Sequence, residues 1–207
     1  MSVPQDKKFV NDSVVEKDAN DELHPLWKER IPNAITVFRI VAVVPIIWLL
    51  AINTPTSNLV AGFIFVLASL SDYFDGMLAR KFNVVSNFGK FIDPIADKVL
   101  VTSTLVMLIP TGKLQAIMVV ILLARDTLIS GLRSVAAIEK VIIPAGTLGK
   151  WKTATQMIAI PAVIIDSPFP AIPVYQIGYS ILWVSVALSV ISGVAYVWDY
   201  VRHSKVV

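Results

Sequence analysis

The sequence predicts an all-α, polytopic membrane protein with six transmembrane helices and a polar cavity that faces the cytoplasm. Of its 207 residues, 56% are hydrophobic and the mean hydropathy is +0.71, which is more apolar than a soluble domain. The length suits six helices at about 20 residues per span. Nearly all basic residues outside the apolar stretches fall on one side when the chain is threaded. The absence of cysteine excludes disulfides and thiolate metal sites.

Residues 1–30 are predicted to be a polar cytoplasmic tail that precedes a membrane domain at 31–207. Acidic and basic residues are interspersed in the tail without an apolar run, so it does not resemble a signal peptide. Its last part mixes Trp27 and basic residues with apolar ones. That mixture is typical either of a short interfacial helix or of a plain linker.

Three evenly spaced polar residues, Asn33, Thr36 and Arg39, open the first predicted span at 36–53. At this spacing they drift only modestly around one helix face. A helix cap followed by an arginine that extends toward the membrane surface would give this pattern. A polar binding surface at the start of the span would give it too, so the residues alone leave both open.

Five further spans follow, and turn clusters separate several of them. The spans are predicted at 58–80, 90–110, 115–138, 150–166 and 175–199, with turn clusters at 53–58, 110–113 and 167–173. With the amino end in the cytoplasm, the outer loops contain a single basic residue, Lys113. This asymmetry follows the positive-inside rule and sets the predicted orientation.

Four aspartates in an otherwise apolar region form the main functional pattern, Asp72-Tyr-Phe-Asp75-Gly76-Met-Leu-Ala79-Arg80, eight residues, then Gly89-Lys-Phe-Ile-Asp93-Pro-Ile-Ala-Asp97. On a helix, Asp72 and Asp75 share one face, and Asp93 and Asp97 share a face of a second helix. Two such helices packed together would join four carboxylates, which need a cation between them. Oxygen ligands suit Mg²⁺ with a phosphate substrate. Acids that cap helix ends or are solvated in a loop are the alternative, although intramembrane acids cost about 2.5–3.5 kcal/mol each.

Charged residues also interrupt the fourth and fifth spans. Span four contains Arg125, Asp126 and Arg133, and span five begins with Lys150 and Lys152. An ion pair between helices would explain Arg125 with Asp126, and anchoring at the cytoplasmic side would explain the lysines. We favour anion binding by Arg133 and one lysine, because Arg clamps phosphate through two hydrogen bonds and Lys supplies a point charge.

The aspartate pattern resembles the signature of the CDP-alcohol phosphotransferase family, D-x2-D-G-x2-A-R-x8-G-x3-D-x3-D, and all eight fixed positions match at every spacing. Family members also have an N-x2-T-x2-R element at the start of the first span. The strings R-D/E-x5-L-R and G-K-x-K-T-x2-Q-M, here starting at Arg125 and Gly149, are similar to those of bacterial members with a glycerol phosphate acceptor. The resemblance extends over about residues 31–200.

The resemblance implies transfer of the phosphatidyl group of CDP-diacylglycerol to sn-glycerol 3-phosphate, with release of CMP. One or two Mg²⁺ ions, or Mn²⁺ as the alternative, would be held by Asp72, Asp75, Asp93 and Asp97, and Asp97 would also act as the base. The CDP-diacylglycerol site would comprise Asn33, Thr36, Arg39, Gly76, Arg80 and Ser86. The phosphate of glycerol 3-phosphate would be bound by Arg125, Arg133, Lys150 and Lys152.

The resemblance further implies a homodimer in the bacterial inner membrane, with its active site facing the cytoplasm and no nucleic-acid partner. Same-family alternatives are cardiolipin, phosphatidylserine and phosphatidylinositol-phosphate synthases. Serine has no phosphate, so the extra cations would be idle, and a diacylated acceptor would need a wider lateral opening. A divalent-cation transporter is the alternative from another class, but the acids cluster on two helices near one side rather than across the membrane.

Overall fold

The computed structural model is entirely helical in its regular structure over the residues that it describes, 27–82, 87–138, 146–165 and 172–204. Six helices follow one another: α1 (Trp27–Ile52), α2 (Pro55–Phe82), α3 (Asn87–Met107), α4 (Ala116–Ile138), α5 (Thr147–Ile165) and α6 (Val174–Ser204). The predicted all-α class and the six helices are therefore confirmed for this part of the chain. The predicted tail up to residue 26 lies outside the described residues.

The predicted turn cluster at 53–58 ends α1 and starts α2. Asn53 has a left-handed backbone with φ of 50°, a conformation that Asn tolerates just after a helix. Thr54 and Ser57 then form a reciprocal cap: the Ser57 N–H donates to Thr54 Oγ1 at 3.2 Å, and the Thr54 N–H donates to Ser57 Oγ at 2.9 Å. Pro55 occupies the first helical position, where its missing N–H has no helical partner to lose.

Several helix boundaries differ from the predicted spans; α6, for example, ends at Ser204 rather than at residue 199, and two other differences have a local cause. Helix α1 begins at Trp27 rather than at residue 36, and Pro32 lies within it. A proline in the first turns removes few helical hydrogen bonds, so it does not end the helix there. Helix α3 ends at Met107, before the predicted residue 110, and Gly112 with φ of 75° forms the turn that follows.

The helices pack into one bundle, in which α5 and α6 are in the most extensive contact. Helix α1 lies against α2 and α3, α2 lies against α5, and α4 lies against α6. Gly178 allows the close approach of α6 to α5, since a Cβ there would lie 2.7 Å from Ala162 Cβ and 3.1 Å from the Ala159 carbonyl. The centre of the bundle is filled by fully buried apolar side chains such as Ile46, Phe65, Leu100, Met118 and Ile160.

Within the described ranges, one helical segment, Val174–Arg202, is both long and apolar enough to cross a bilayer, with a hydropathy of 2.0. Shorter apolar stretches occupy Thr36–Ile52 and Pro55–Ser71. Helices α3, α4 and α5 contain charged residues, which lower their hydropathy. Many large apolar side chains are exposed on the bundle, including Trp48 and Phe63, which is typical of a surface that meets lipid or protein.

Candidate active site

A cavity of about 350 Å³ opens between α3, α4 and α5. Its charged and amide-bearing lining residues are Asp97, Lys98, Arg125, Asp126, Arg133, Lys152 and Gln156. Asp97 comes from the sequence signature, and three of the others are cations that the sequence assigns to the acceptor. The fold therefore brings the predicted base and most of the predicted phosphate-binding residues to one cavity.

Asp126 joins α4 to α5 on one wall of this cavity. Its Oδ1 accepts a hydrogen bond from Arg125 Nη1 at 3.1 Å, and its Oδ2 accepts one from Lys152 Nζ at 2.6 Å. The Lys152 side chain is only 5% exposed, and a buried ammonium of this kind requires a paired carboxylate. The pair of Arg125 with Asp126 lies within α4, and the ion pair between helices that the sequence offered as one explanation is formed by Asp126 with Lys152 of α5.

Arg125 also fastens α4 to α6. Its Nε donates to the Ser189 carbonyl at 3.1 Å, and its Nη2 donates to Ser192 Oγ at 2.8 Å. The side chain lies against Gly193, where an added Cβ would come within 3.1 Å of Arg125 Cγ. Because all three guanidinium nitrogens already have partners, the position of Arg125 is fixed by protein contacts.

Arg133 and Lys150 are placed differently. They line an adjoining cavity of about 530 Å³, which shares Arg125, Arg133 and Thr153 with the first one. The guanidinium of Arg133 lies 5.5 Å from the ring centre of Tyr196, a cation–π contact. Among the described residues, neither Arg133 nor Lys150 forms a salt bridge, so both keep their charge available to an anion.

The charge of the first cavity suits an anionic ligand. Its described lining has four basic residues against two acidic ones, a formal excess of two positive charges. Lys150 adds a further positive charge in the adjoining cavity. A dianion such as a phosphate monoester would therefore enter a positive potential, and its desolvation would be offset by charged donors.

The described residues of the first-span element are enclosed in the bundle. Thr36 and Arg39 are 1% and 0% exposed, on a helix that packs against α2 and α3. Neither lines the two cavities described above. An arginine that extended toward the membrane surface would keep its guanidinium exposed, and Arg39 does not.

Both halves of the aspartate signature are helical, as predicted: Asp72–Arg80 lies in α2 and Gly89–Asp97 in α3, and the two helices are in contact. The side chains of the remaining predicted residues lie outside the described ones, namely Asn33, Asp72, Asp75, Gly76, Arg80 and Asp93, and so does Ser86 as a whole. Asp97 is partly exposed and lines the cavity. A donor set of carboxylates on two adjoining helices fits a hard divalent cation such as Mg²⁺.

Two polar residues of this cavity received no role from the sequence, although one of them, Gln156, is the Gln of the string that starts at Gly149. Lys98 follows Asp97, and its Nζ donates to Ser130 Oγ. Gln156 is 3% exposed, and its Nε2 has no hydrogen-bond partner among the described residues. Gln156 lies four residues after Lys152, on the same face of α5, so helical spacing from the lysine could have indicated it.

The fold and the cavity define a helical, membrane-associated protein with a carboxylate and several cationic side chains in one cavity. Residues 29–191 match the family model of the CDP-alcohol phosphatidyltransferases. The chain belongs to this family, as the signature indicated.

Curated relatives align over most of the chain. A protein of Rickettsia bellii is 41% identical over 169 residues, covering 81% of this chain and 93% of its own length. A protein of Bacillus subtilis is 36% identical over 184 residues, with 82% and 92% covered. Both are named CDP-diacylglycerol–glycerol-3-phosphate 3-phosphatidyltransferase. An Arabidopsis thaliana protein of the same name, with the suffix 2, is 32% identical over 182 residues, with 80% and 77% covered.

Proposed function

We propose that this protein transfers the phosphatidyl group of CDP-diacylglycerol to sn-glycerol 3-phosphate, giving phosphatidylglycerophosphate and CMP. Family membership and the names of the relatives support this activity. The observation on which the proposal rests most is the cavity that joins Asp97 to Arg125, Arg133 and Lys152. It offers a carboxylate for a hydroxyl and cations for a phosphate in one space, and glycerol 3-phosphate has both groups.

The acceptor phosphate is bound chiefly by Arg133 and Lys150 in this proposal. Both line the adjoining cavity, which Arg133 shares with the first one, and neither is paired with a carboxylate among the described residues. Arg133 can meet two phosphate oxygens with its planar fork, and Lys150 adds a point charge. Arg125 and Lys152 remain bonded to Asp126, and they contribute positive potential together with the rigidity of the wall.

Asp97 acts as the general base. The primary hydroxyl of glycerol 3-phosphate loses its proton to the Asp97 carboxylate as its oxygen attacks the phosphorus that carries the diacylglycerol group. The new O–P bond forms while the P–O bond to CMP breaks, and CMP leaves with the electron pair. Asp72, Asp75, Asp93 and Asp97 would hold one or two Mg²⁺ ions, or Mn²⁺, which when bound neutralise the pyrophosphate and the departing CMP.

The nucleotide end of the donor is assigned to the residues that the family resemblance implies, which are Asn33, Thr36, Arg39, Gly76, Arg80 and Ser86. Thr36 and Arg39 lie on α1 and are buried in the bundle. Helix α1 contacts both helices of the aspartate signature. A nucleotide bound there would lie beside the proposed metal ligands.

The membrane arrangement is part of the same proposal. Six helices span the bacterial inner membrane, the cavity faces the cytoplasm, and two copies form a homodimer, as the family resemblance implies. The apolar helix Val174–Arg202 and the exposed apolar side chains of the bundle support insertion in lipid. The positive-inside bias of the loops supports the orientation.

The test is an acceptor panel with purified protein, CDP-diacylglycerol and Mg²⁺ in mixed micelles. Release of CMP is measured with sn-glycerol 3-phosphate, glycerol, serine, inositol phosphate and phosphatidylglycerol, and lipid products are identified by mass. We expect rapid release with sn-glycerol 3-phosphate alone. Equal rates with glycerol or serine would contradict the acceptor assignment. Divalent-cation flux into proteoliposomes without any CMP release would contradict the enzyme and favour the transporter.

A further inference from the structure

Gln156 is a buried amide in the proposed active site, and the roles proposed above do not include it. It lies on α5 one turn after Lys152, and it lines the cavity that also contains Asp97. It is 3% exposed, and its Nε2 is buried without a hydrogen-bond partner among the described residues. A buried amide without a partner is costly, because it loses its hydrogen bonds to water and gains none.

The position of Gln156 places it away from the phosphate end of the cavity system. Arg133 and Lys150 meet in the adjoining cavity, whereas Asp97 and Gln156 line only the first one. Along α5, Gln156 follows Lys150 by six residues, which is about 9 Å of helix. An acceptor bound by its phosphate at Arg133 and Lys150, with its reacting hydroxyl at Asp97, would have its carbon chain in the first cavity, which Gln156 also lines.

We infer that the Gln156 amide hydrogen-bonds the secondary hydroxyl of the acceptor and so selects glycerol 3-phosphate over phosphates without that hydroxyl. The inference rests on the proposed function, since it assumes that acceptor. The terminal torsion of Gln is soft and its amide has both a donor and an acceptor end, so rotation presents either end to the cavity. In the proposed function, Arg133 binds the phosphate and Asp97 binds the primary hydroxyl. The secondary hydroxyl is the remaining polar group of the acceptor, and we assign it to Gln156.

The experiment compares two acceptors that differ only in that hydroxyl. 3-Hydroxypropyl phosphate has the phosphate and the primary hydroxyl of glycerol 3-phosphate but lacks the secondary one. We expect the unmodified protein to prefer glycerol 3-phosphate in kcat/KM by about tenfold or more, because a site built around a hydroxyl discriminates against its absence. A ratio near one in the unmodified protein would overturn the inference without any variant.

Gln156→Met keeps the length of the side chain and removes its hydrogen bonds. Its kcat/KM for glycerol 3-phosphate should fall by about tenfold or more, while that for 3-hydroxypropyl phosphate should change by less than about threefold. The preference then disappears. A parallel loss with both acceptors would indicate a merely structural role and overturn the inference. Gln156→Glu retains a hydrogen-bond acceptor for the hydroxyl, so it should keep the preference for glycerol 3-phosphate that Gln156→Met loses. Its negative charge should weaken the binding of both phosphate acceptors.

Gln176→Met is the matched control, because Gln176 is exposed near the start of α6 and lines neither cavity. It should leave the acceptor ratio unchanged.

The result also separates the two proposals. If the unmodified protein releases no CMP with glycerol 3-phosphate, the proposed function is wrong and the role of Gln156 falls with it. If release is normal and the Gln156→Met ratio equals that of the unmodified protein, only the role of Gln156 is wrong.

Discussion

Among the four aspartates of the signature, Asp97 is the one whose described side chain lines the cavity. If Asp97 is the base, Asp97→Asn keeps the shape and removes the proton acceptor. We expect kcat to fall by about 10²–10⁴-fold, whereas binding of CDP-diacylglycerol should weaken only modestly. Steady-state kinetics with both substrates and a direct lipid-binding assay measure the two effects. A near-normal kcat in Asp97→Asn would move the base to another residue.

Arg133 is the cation best placed to meet the acceptor phosphate. Charge-assisted hydrogen bonds contribute about 1.5–3 kcal/mol each, so Arg133→Ala should raise the KM for glycerol 3-phosphate by about 10- to 100-fold. The KM for CDP-diacylglycerol should change little, and Arg133→Lys should recover only part of the loss. Arg202→Ala is the control, because Arg202 also lies over an aromatic ring of α6, at 5.1 Å from Trp198. If Arg133→Ala raised the KM for both substrates equally, Arg133 would not be a specific ligand of the acceptor phosphate.

The metal site gives a third prediction at this scale. Asp72→Ala, Asp75→Ala and Asp93→Ala should each abolish CMP release at every Mg²⁺ concentration, because groups that act as a unit are strongly non-additive. Chelation of the unmodified protein with EDTA should have the same effect, and added Mg²⁺ should restore activity. Full activity in EDTA would show that the carboxylates do not work through a metal ion.

The sequence identified the cations of the site and favoured Arg133 over Arg125 for the phosphate, but it did not show what holds Arg125 in place. Arg125 and Arg133 lie eight residues apart near one face of α4, and both are arginines in an apolar span. The contacts with α6 distinguish them, because Ser189 and Ser192 accept hydrogen bonds from the Arg125 guanidinium. These serines follow Arg125 by more than sixty residues in the sequence. Contacts across that separation depend on how the helices pack, which residue spacing does not determine.

At the scale of the element, the contact between α5 and α6 depends on Gly178. A Cβ there would lie 3.0 Å from the Val163 backbone nitrogen as well as close to Ala162, and backbone cannot move aside as a side chain can. We expect Gly178→Ala to destabilise the protein by about 1–3 kcal/mol through overpacking. The measurement is the midpoint of thermal unfolding in detergent.

Gly131→Ala is the matched control for that prediction. Gly131 is also helical, in α4, but a Cβ there would meet nothing within 4 Å. Alanine is favoured over glycine in a helix by about 1 kcal/mol, so this variant should unfold at the same temperature or higher. If Gly178→Ala were as stable as Gly131→Ala, the close approach of α5 and α6 would be wrong.

The helices themselves were largely predictable, because apolar stretches and turn residues are local signals. Asn53, Thr54 and Pro55 mark one boundary, and each has a local physical reason to stop or start a helix. The predicted first span begins nine residues after the start of α1, because the charges before Pro32 are typical of a polar tail. A proline in the first turns of a helix is permitted, so composition alone could not place that boundary.

The distribution of charge over the whole molecule predicts how it lies in the membrane. The loop between α3 and α4 and the loop between α4 and α5 must face opposite sides if α4 crosses the bilayer. Lys113 is the sole basic residue of the predicted outer loops, and it is only 7% exposed because its Nζ donates to the Ile164 carbonyl at the end of α5 at 2.7 Å. Its charge therefore serves a helix end, and the outer surface presents little positive charge.

Single cysteines can test this orientation directly, because the chain contains none. Gln115 precedes α4 and Gly146 precedes α5, and both are exposed outside the helices. In intact cells, a membrane-impermeant maleimide should label Gln115→Cys from outside and leave Gly146→Cys unlabelled. Permeabilising the inner membrane should then expose Gly146→Cys to the same reagent. Labelling of Gly146→Cys in intact cells would place the cavity on the outer side, away from CTP-derived nucleotides, and would contradict a cytoplasmic active site.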